Sequence, residues 1–152
     1  MNLYLDASAL IKRYISETGS EQVNALIANA ESVGMAVISR AEVAATFAKV
    51  VRMQLLEHKA ALALLQNFRN DWQDWVRIEL TENLVARADA LAWEHSLRGY
   101  DAVHLAAALV WQETLGGSVT LATYDESLWQ SAEREGLIPF PVDLPSHSKS
   151  QK

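Results

Sequence analysis

The 152-residue chain contains no cysteine. That removes disulfides, thiol nucleophiles and thiolate metal ligation, leaves only oxygen and nitrogen donors for any metal, and fits a reducing compartment. Long apolar runs are also missing: no stretch approaches the ~18 uninterrupted residues of a membrane span. The opening "MNLYLDAS" meets an acid at Asp6 before a run of signal-peptide length can grow. A cytoplasmic protein without a membrane partner is expected. A basic surplus is absent too, with 13 Lys and Arg against 19 Asp and Glu and a net charge of −6. This excludes a generic basic nucleic-acid coat. It does not exclude a nuclease, because cations offset the carboxylates that bind them. No repeat and no linker interrupts the chain, which reads as one domain over residues 1–141 with a polar tail at 142–152.

Half of the residues are hydrophobic, and strand and helix patterns alternate. Asn2 to Leu5 is a β-prone run ending at Asp6, followed by helical spacing at Leu10 and Tyr14. Ser20 to Ala30 predicts a helix, and Met35 to Ser39 a second strand feeding another helix that carries Val43, Phe47 and Val50. Leu65, Phe68 and Trp72 mark the next, and the two form a hairpin broken near Leu56 and Glu57. Trp75 to Leu80 predicts a strand and Thr81 to Leu97 a helix, which Arg98 and Gly99 stop. Val103, Ala107 and Val110 lie on a further helix ending at Gly116 and Gly117. Ser118 to Thr123 is a buried-type strand, and Asp125 to Glu135 a last helix. Such alternation predicts an α/β domain with a mostly parallel sheet, whose ligands bind at the carboxyl ends of the strands.

Four acids gain interest from that rule. Asp6 follows the first strand, Glu42 lies a turn beyond the second, and Asp125 comes two residues after Thr123. Parallel strands put all three at one edge, and Asp101 opens a helix whose N-terminus can share it. Capping offers another explanation for each. Asp6, Asp101 and Asp125 stand where an Asp caps a helix or favours its first turn. "SRAE" fits a capping box of Ser39 and Glu42, and Thr123 with Glu126 repeats the pattern. Capping does not predict carboxylates gathered at one edge, where they repel in a low dielectric. A divalent cation removes the conflict, and oxygen donors favour Mg²⁺ or Mn²⁺. This is a setting for metal-assisted phosphodiester cleavage.

"LYLDASALIKRY", "ISRAEVAATFAK", "RGYDAVHLAAAL" and "TLATYDESL", in this order, resemble the motifs of a PIN-domain ribonuclease, more narrowly a VapC-type toxin of a type II toxin–antitoxin system. The resemblance spans Asn2 to about Pro141. It implies a three-layer α/β/α fold with a central parallel five-stranded sheet. It also implies catalytic carboxylates on Asp6, Glu42, Asp101 and Asp125, with Mg²⁺ or Mn²⁺ on Asp6, Asp101 and Asp125, and Ser8 and Thr123 as polar neighbours that orient them. Asp125 is at the position that varies most in the family. The implied activity is endonucleolytic hydrolysis of RNA, tRNA or rRNA among the substrates, by a metal-activated water that leaves a 5′-phosphate and a 3′-hydroxyl. A cognate antitoxin protein and a homodimer are the implied partners.

The remaining candidates have two readings each. His104, one turn after Asp101, is a general base or a histidine packed in its helix; metal-bound water favours the second. Lys12, Arg13, Arg40 and Arg98, with Lys49 and Arg52, grip RNA phosphates or are solvated surface. Trp72, Trp75, Trp93 and Trp111 read as core or interface anchors. Val43 to Leu65 carries more apolar surface than one helix face needs, and is an antitoxin groove, with Phe47 and Leu55 in it, or an ordinary hairpin. A haloacid-dehalogenase pattern needs an Asp where Ser8 stands, and a receiver needs a Lys after the last strand; both lose. A non-catalytic PIN-like module binding RNA or protein is the alternative, and the presence of all four acids weighs against it.

Overall fold

Strand β1 (Asn2–Leu5) lies at the centre of the sheet. Its alternation aims Leu3 and Leu5 at one face and Tyr4 at the other, and all three are fully buried. The computed structural model describes residues 1–144, so residues 145–152 of the expected tail lie outside the described residues. Around β1 come helix α1 (Ala7–Leu10) running into a 3-10 turn, α2 (Ser20–Asn29), β2 (Ser32–Ala36), α3 (Ser39–Arg52) and α4 (His58–Trp72). Then follow β3 (Val76–Ile78), α5 (Glu82–His95), α6 (Gly99–Leu115), β4 (Val119–Ala122), α7 (Glu126–Arg134) and β5 (Ile138–Phe140). The five strands are all parallel, in the order β3-β2-β1-β4-β5. This is the expected three-layer α/β/α fold.

One core lies between the sheet and α5, α6 and α7, around Tyr4, Leu105 and Leu121. The other joins Leu3, Leu5 and Met35 to α1, α2, α3 and α4. Each fully buried leucine contributes about 1.5–3 kcal/mol. Helix α6 is buried almost all round, because small alanines at 106, 107 and 108 let it approach the sheet and its neighbours closely. Gly116, at φ 68°, ends it in the left-handed conformation.

One expectation is corrected. Strand β2 occupies Ser32–Ala36 rather than 35–39, because Gly34 is a strand residue and not a boundary. A Cβ there would stand 3.0 Å from the Trp111 ring of α6, so a larger residue would need the ring to give way by a few tenths of an ångström. Ile38, at φ −62° and ψ −23°, has already left the extended conformation. Strand β5 escapes the alternation rule because Pro139 sits inside it, tolerated on an edge strand where one face of the backbone needs no partner. Trp72 and Trp111 are buried, whereas Trp93 is 89% exposed, which leaves the interface half of its reading. Among the described residues no helix is long and apolar enough to cross a membrane.

Candidate active site

The carboxyl edge of the sheet delivers four acids from four different elements. Asp6 follows β1 and caps α1, Glu42 lies in the first turn of α3, Asp101 in the first turn of α6, and Asp125 caps α7. Together with Ala7, Ser8, Arg98, Tyr100, His104 and Tyr124 they line one cleft of about 290 Å³.

Both oxygens of Asp6 are held by donors of the fold, whereas Asp125 divides its two between a helix cap and the cleft. Asp6 Oδ1 accepts from the Ala9 N–H at 2.9 Å, capping α1, and from the Ser8 hydroxyl at 2.7 Å. Its Oδ2 accepts from the Thr123 hydroxyl at 2.5 Å. Asp125 Oδ1 accepts from the Leu128 N–H at 2.9 Å, and its Oδ2 from Arg98 Nη2 at 3.0 Å. Ser8 also ties the segment after β1 to that after β4 by accepting from the Tyr124 N–H at 2.9 Å, and Thr123 accepts locally from the Asp125 N–H at 3.1 Å.

The two capping boxes that offered another explanation for these acids do not form. Ser39 is the first residue inside α3, and its buried hydroxyl has no hydrogen-bond partner among the described residues. Glu42 instead points across the cleft, with Oε1 2.7 Å from His104 Nε2. Thr123 serves Asp6 rather than Glu126. His104 is buried, as the packed-histidine reading expects, and is wired to Tyr4 on its other nitrogen at 2.7 Å. Sequence reasoning missed Tyr4; the one signal was a polar ring among the leucines of β1.

Burial sets the electrostatics. Desolvation pushes the Asp6 carboxyl above its ordinary pKa, against His104, Thr123, Ser8 and the Ala9 N–H, which all pull it down. Asp101 is also raised, first by desolvation and further by nearby Asp125, with Arg98 opposing. Desolvation alone would depress His104, but the hydrogen bond to Glu42 and the charges of Glu42, Asp6 and Asp101 together raise it.

Arg98 bridges two of the acids, with Nε 2.9 Å from Asp101 Oδ2 and Nη2 on Asp125, while its guanidinium lies 5.2 Å from the centre of the Tyr100 ring. The other basic candidates are placed elsewhere. Lys12 Nζ bonds Glu17 and the Thr18 carbonyl and sits over the Tyr124 ring, beside the cleft. Arg13 pairs with Asp71, and Arg40 lines an apolar groove between α3 and α4.

The carboxylate and hydroxyl oxygens that line the cleft fit a hard divalent cation. Arg98 already stands between Asp101 and Asp125, where such an ion would compete with it. Among the described residues, the group whose potential ligand atoms already lie within 4.8 Å of one another is Glu94, His95 and Glu135, which shares no residue with this cleft.

The PIN domain family model matches residues 3–133. Ribonuclease VapC45 of Mycobacterium tuberculosis is 33% identical over 146 residues, covering 93% of this chain and 96% of its own. The crystal structure of PAE2754 from Pyrobaculum aerophilum superposes with a TM-score of 0.65 at 21% identity, over 98% of this chain and 90% of that one. A toxin–antitoxin complex from Klebsiella pneumoniae gives a TM-score of 0.58 at 20% identity, over 81% and 86% of the two chains. The chain belongs to the PIN domain family, and within it to the VapC group.

Proposed function

We propose that this chain is a Mg²⁺- or Mn²⁺-dependent endoribonuclease and the toxin of a toxin–antitoxin pair. The observation that carries the reading is the convergence of Asp6, Glu42, Asp101 and Asp125, from four elements, on one cleft. The ribonuclease names of its relatives support the substrate class. Asp6, Asp101 and Asp125 would hold the ion, with Glu42 beside them. A bound divalent cation supplies a nucleophilic water at neutral pH and Lewis-acid stabilisation of the phosphate.

The chain's own groups prepare this chemistry. Ser8, Thr123 and the Ala9 N–H donate to Asp6, orient it and oppose the upward push that burial gives its pKa. His104 faces Glu42. Arg98, largely exposed, is the basic residue best placed to meet an RNA phosphate at the cleft, and Lys12 lies nearby. The products would carry a 5′-phosphate and a 3′-hydroxyl. A tRNA or rRNA target, a homodimer and a cytoplasmic location belong to the same reading.

The antitoxin site we propose is the apolar surface between α3 and α4. It comprises two adjoining grooves of about 340 and 450 Å³ that share Ala44 and Leu65. Phe47 forms its buried floor and Leu62 its exposed wall.

Purified protein tests the catalytic claim when incubated with total bacterial RNA plus Mg²⁺, Mn²⁺ or EDTA, beside Asp101→Asn. Discrete fragments that vanish with EDTA and with the variant are expected. A folded, antitoxin-free protein that cuts no class of RNA would favour a binding module instead.

A further inference from the structure

Glu42 differs from the other three acids in how it is held. Asp6 receives three donors, Asp125 a backbone N–H and Arg98, and Asp101 receives Arg98. Among the described residues, the side-chain oxygens of Glu42 have one hydrogen-bond partner, His104 Nε2 at 2.7 Å. Whether that contact is a hydrogen bond at all depends on where the imidazole carries its proton.

The other end of the ring decides this. The Tyr4 oxygen accepts from the Ala36 backbone N–H at 3.2 Å, and lies 2.7 Å from His104 Nδ1. Tyr4 and His104 are both buried, so water does not compete. The single phenolic proton has Nδ1 as its acceptor. Once Nδ1 accepts, the neutral ring must carry its proton on Nε2, which then donates to Glu42. The opposite tautomer would set the Nε2 lone pair against a carboxylate oxygen at hydrogen-bond distance, two acceptors facing each other. Every donor in the series from Ala36 to Glu42 is satisfied in one direction only.

We propose that Ala36 N–H, Tyr4 and His104 form a one-way donor chain that locks His104 as the Nε2–H tautomer and so holds the Glu42 carboxylate at the cleft wall. Tyr4 and His104 are then positioning residues. Tyr4 acts from the far face of the central strand and touches neither substrate nor metal. Its consequence for cleavage rests on the nuclease reading; the tautomer does not.

The test is a long-range ¹H–¹⁵N correlation spectrum of the imidazoles of the metal-free protein at high pH, with the His104 signals assigned by their loss in His104→Asn. A neutral ring protonated at Nε2, with Nδ1 shifted as an acceptor, is expected. A ring protonated at Nδ1, an average of the two tautomers, or a cationic ring would overturn the proposal. Tyr4→Phe should release the ring into tautomer exchange and lower kcat for RNA roughly tenfold, the lower end of the range for losing a partner behind a ligand, with KM unchanged. A Tyr4→Phe protein with the wild-type spectrum, or with wild-type kcat, would equally overturn it. Should wild type show the locked tautomer yet cut no RNA, the nuclease reading fails and the role in cleavage falls with it. Should it cut RNA with the wrong tautomer, only the donor chain fails.

Discussion

Thr123→Val isolates one hydroxyl at the centre of the acid cluster. Thr123 is fully buried at the end of β4, and valine matches its shape. The hydroxyl donates to Asp6 Oδ2 at 2.5 Å and accepts from the Asp125 N–H at 3.1 Å. Its removal deletes a charge-assisted bond, typically about 1.5–3 kcal/mol, and strands a part-buried N–H. A loss of about 2–4 kcal/mol is expected, which lowers Tm by roughly 6–12 °C for a domain of this size. The pH dependence is the sharper test. The folded-state pKa of Asp6 lies above its unfolded value. Between the two the native state binds more protons than the unfolded one, so stability falls as pH rises through that window. Thr123 is among the groups that hold this pKa down. Removing it widens the window, and the penalty of Thr123→Val should be smallest near the ordinary carboxylate range and grow toward neutral and alkaline pH. Thermal melts of metal-free protein by circular dichroism, from acidic to mildly alkaline pH, measure this. Thr123→Ser, which keeps the hydroxyl and loses one methyl worth about 0.8 kcal/mol, should show a small, pH-flat deficit. A valine variant melting within about 2 °C of wild type, or with a deficit as flat as the serine's, would refute the argument.

Two further outcomes follow from the same geometry. Arg98→Gln frees Asp101 and Asp125 from a guanidinium that any divalent ion must displace, so calorimetry should find tighter Mn²⁺ binding; weaker binding would show that Arg98 organises the acids rather than competing for them. Leu62, 49% exposed on the wall of the α3/α4 groove, can carry a charge without unfolding the domain. Leu62→Glu should therefore abolish antitoxin capture in a pull-down with an unchanged circular dichroism spectrum, and retained capture would remove the groove from the interface.

What the sequence revealed was local. Asp6 and Asp125 stand at strand-to-helix junctions and Asp101 at a helix start, so pattern alone put them on one edge. Glu42 was harder, because a Ser three residues before it mimics a capping box. The partner that claims it, His104, is 62 positions away, and Tyr4, which orients His104, is 100 positions from it. No window on the chain contains that information. Gly34 misled for a related reason: it looks like punctuation, yet it sits in a strand, where it admits the Trp111 ring. Phe47, apolar and at groove spacing, proved to be floor rather than wall.

Capping and metal ligation, which compete as explanations along the sequence, are geometrically compatible at Asp125. Asp125 spends Oδ1 on the Leu128 N–H and turns Oδ2 to the cleft, so the cap fixes the rotamer that presents the other oxygen. An N-cap is therefore a means of preorganising a ligand, and the two roles are separable by chemistry. Asparagine keeps a capping oxygen and removes the charge; alanine removes both. Asp125→Ala should destabilise the metal-free protein by about 1 kcal/mol, the usual worth of an N-cap, while Asp125→Asn stays near wild type. Both should lose Mn²⁺ affinity to a similar extent, since neither offers a carboxylate. Urea unfolding and calorimetry on the pair measure the two effects independently. If Asp125→Asn were as unstable as Asp125→Ala, the cap would not be what holds this residue. If Asp125→Asn bound Mn²⁺ like wild type, Asp125 would be a cap alone.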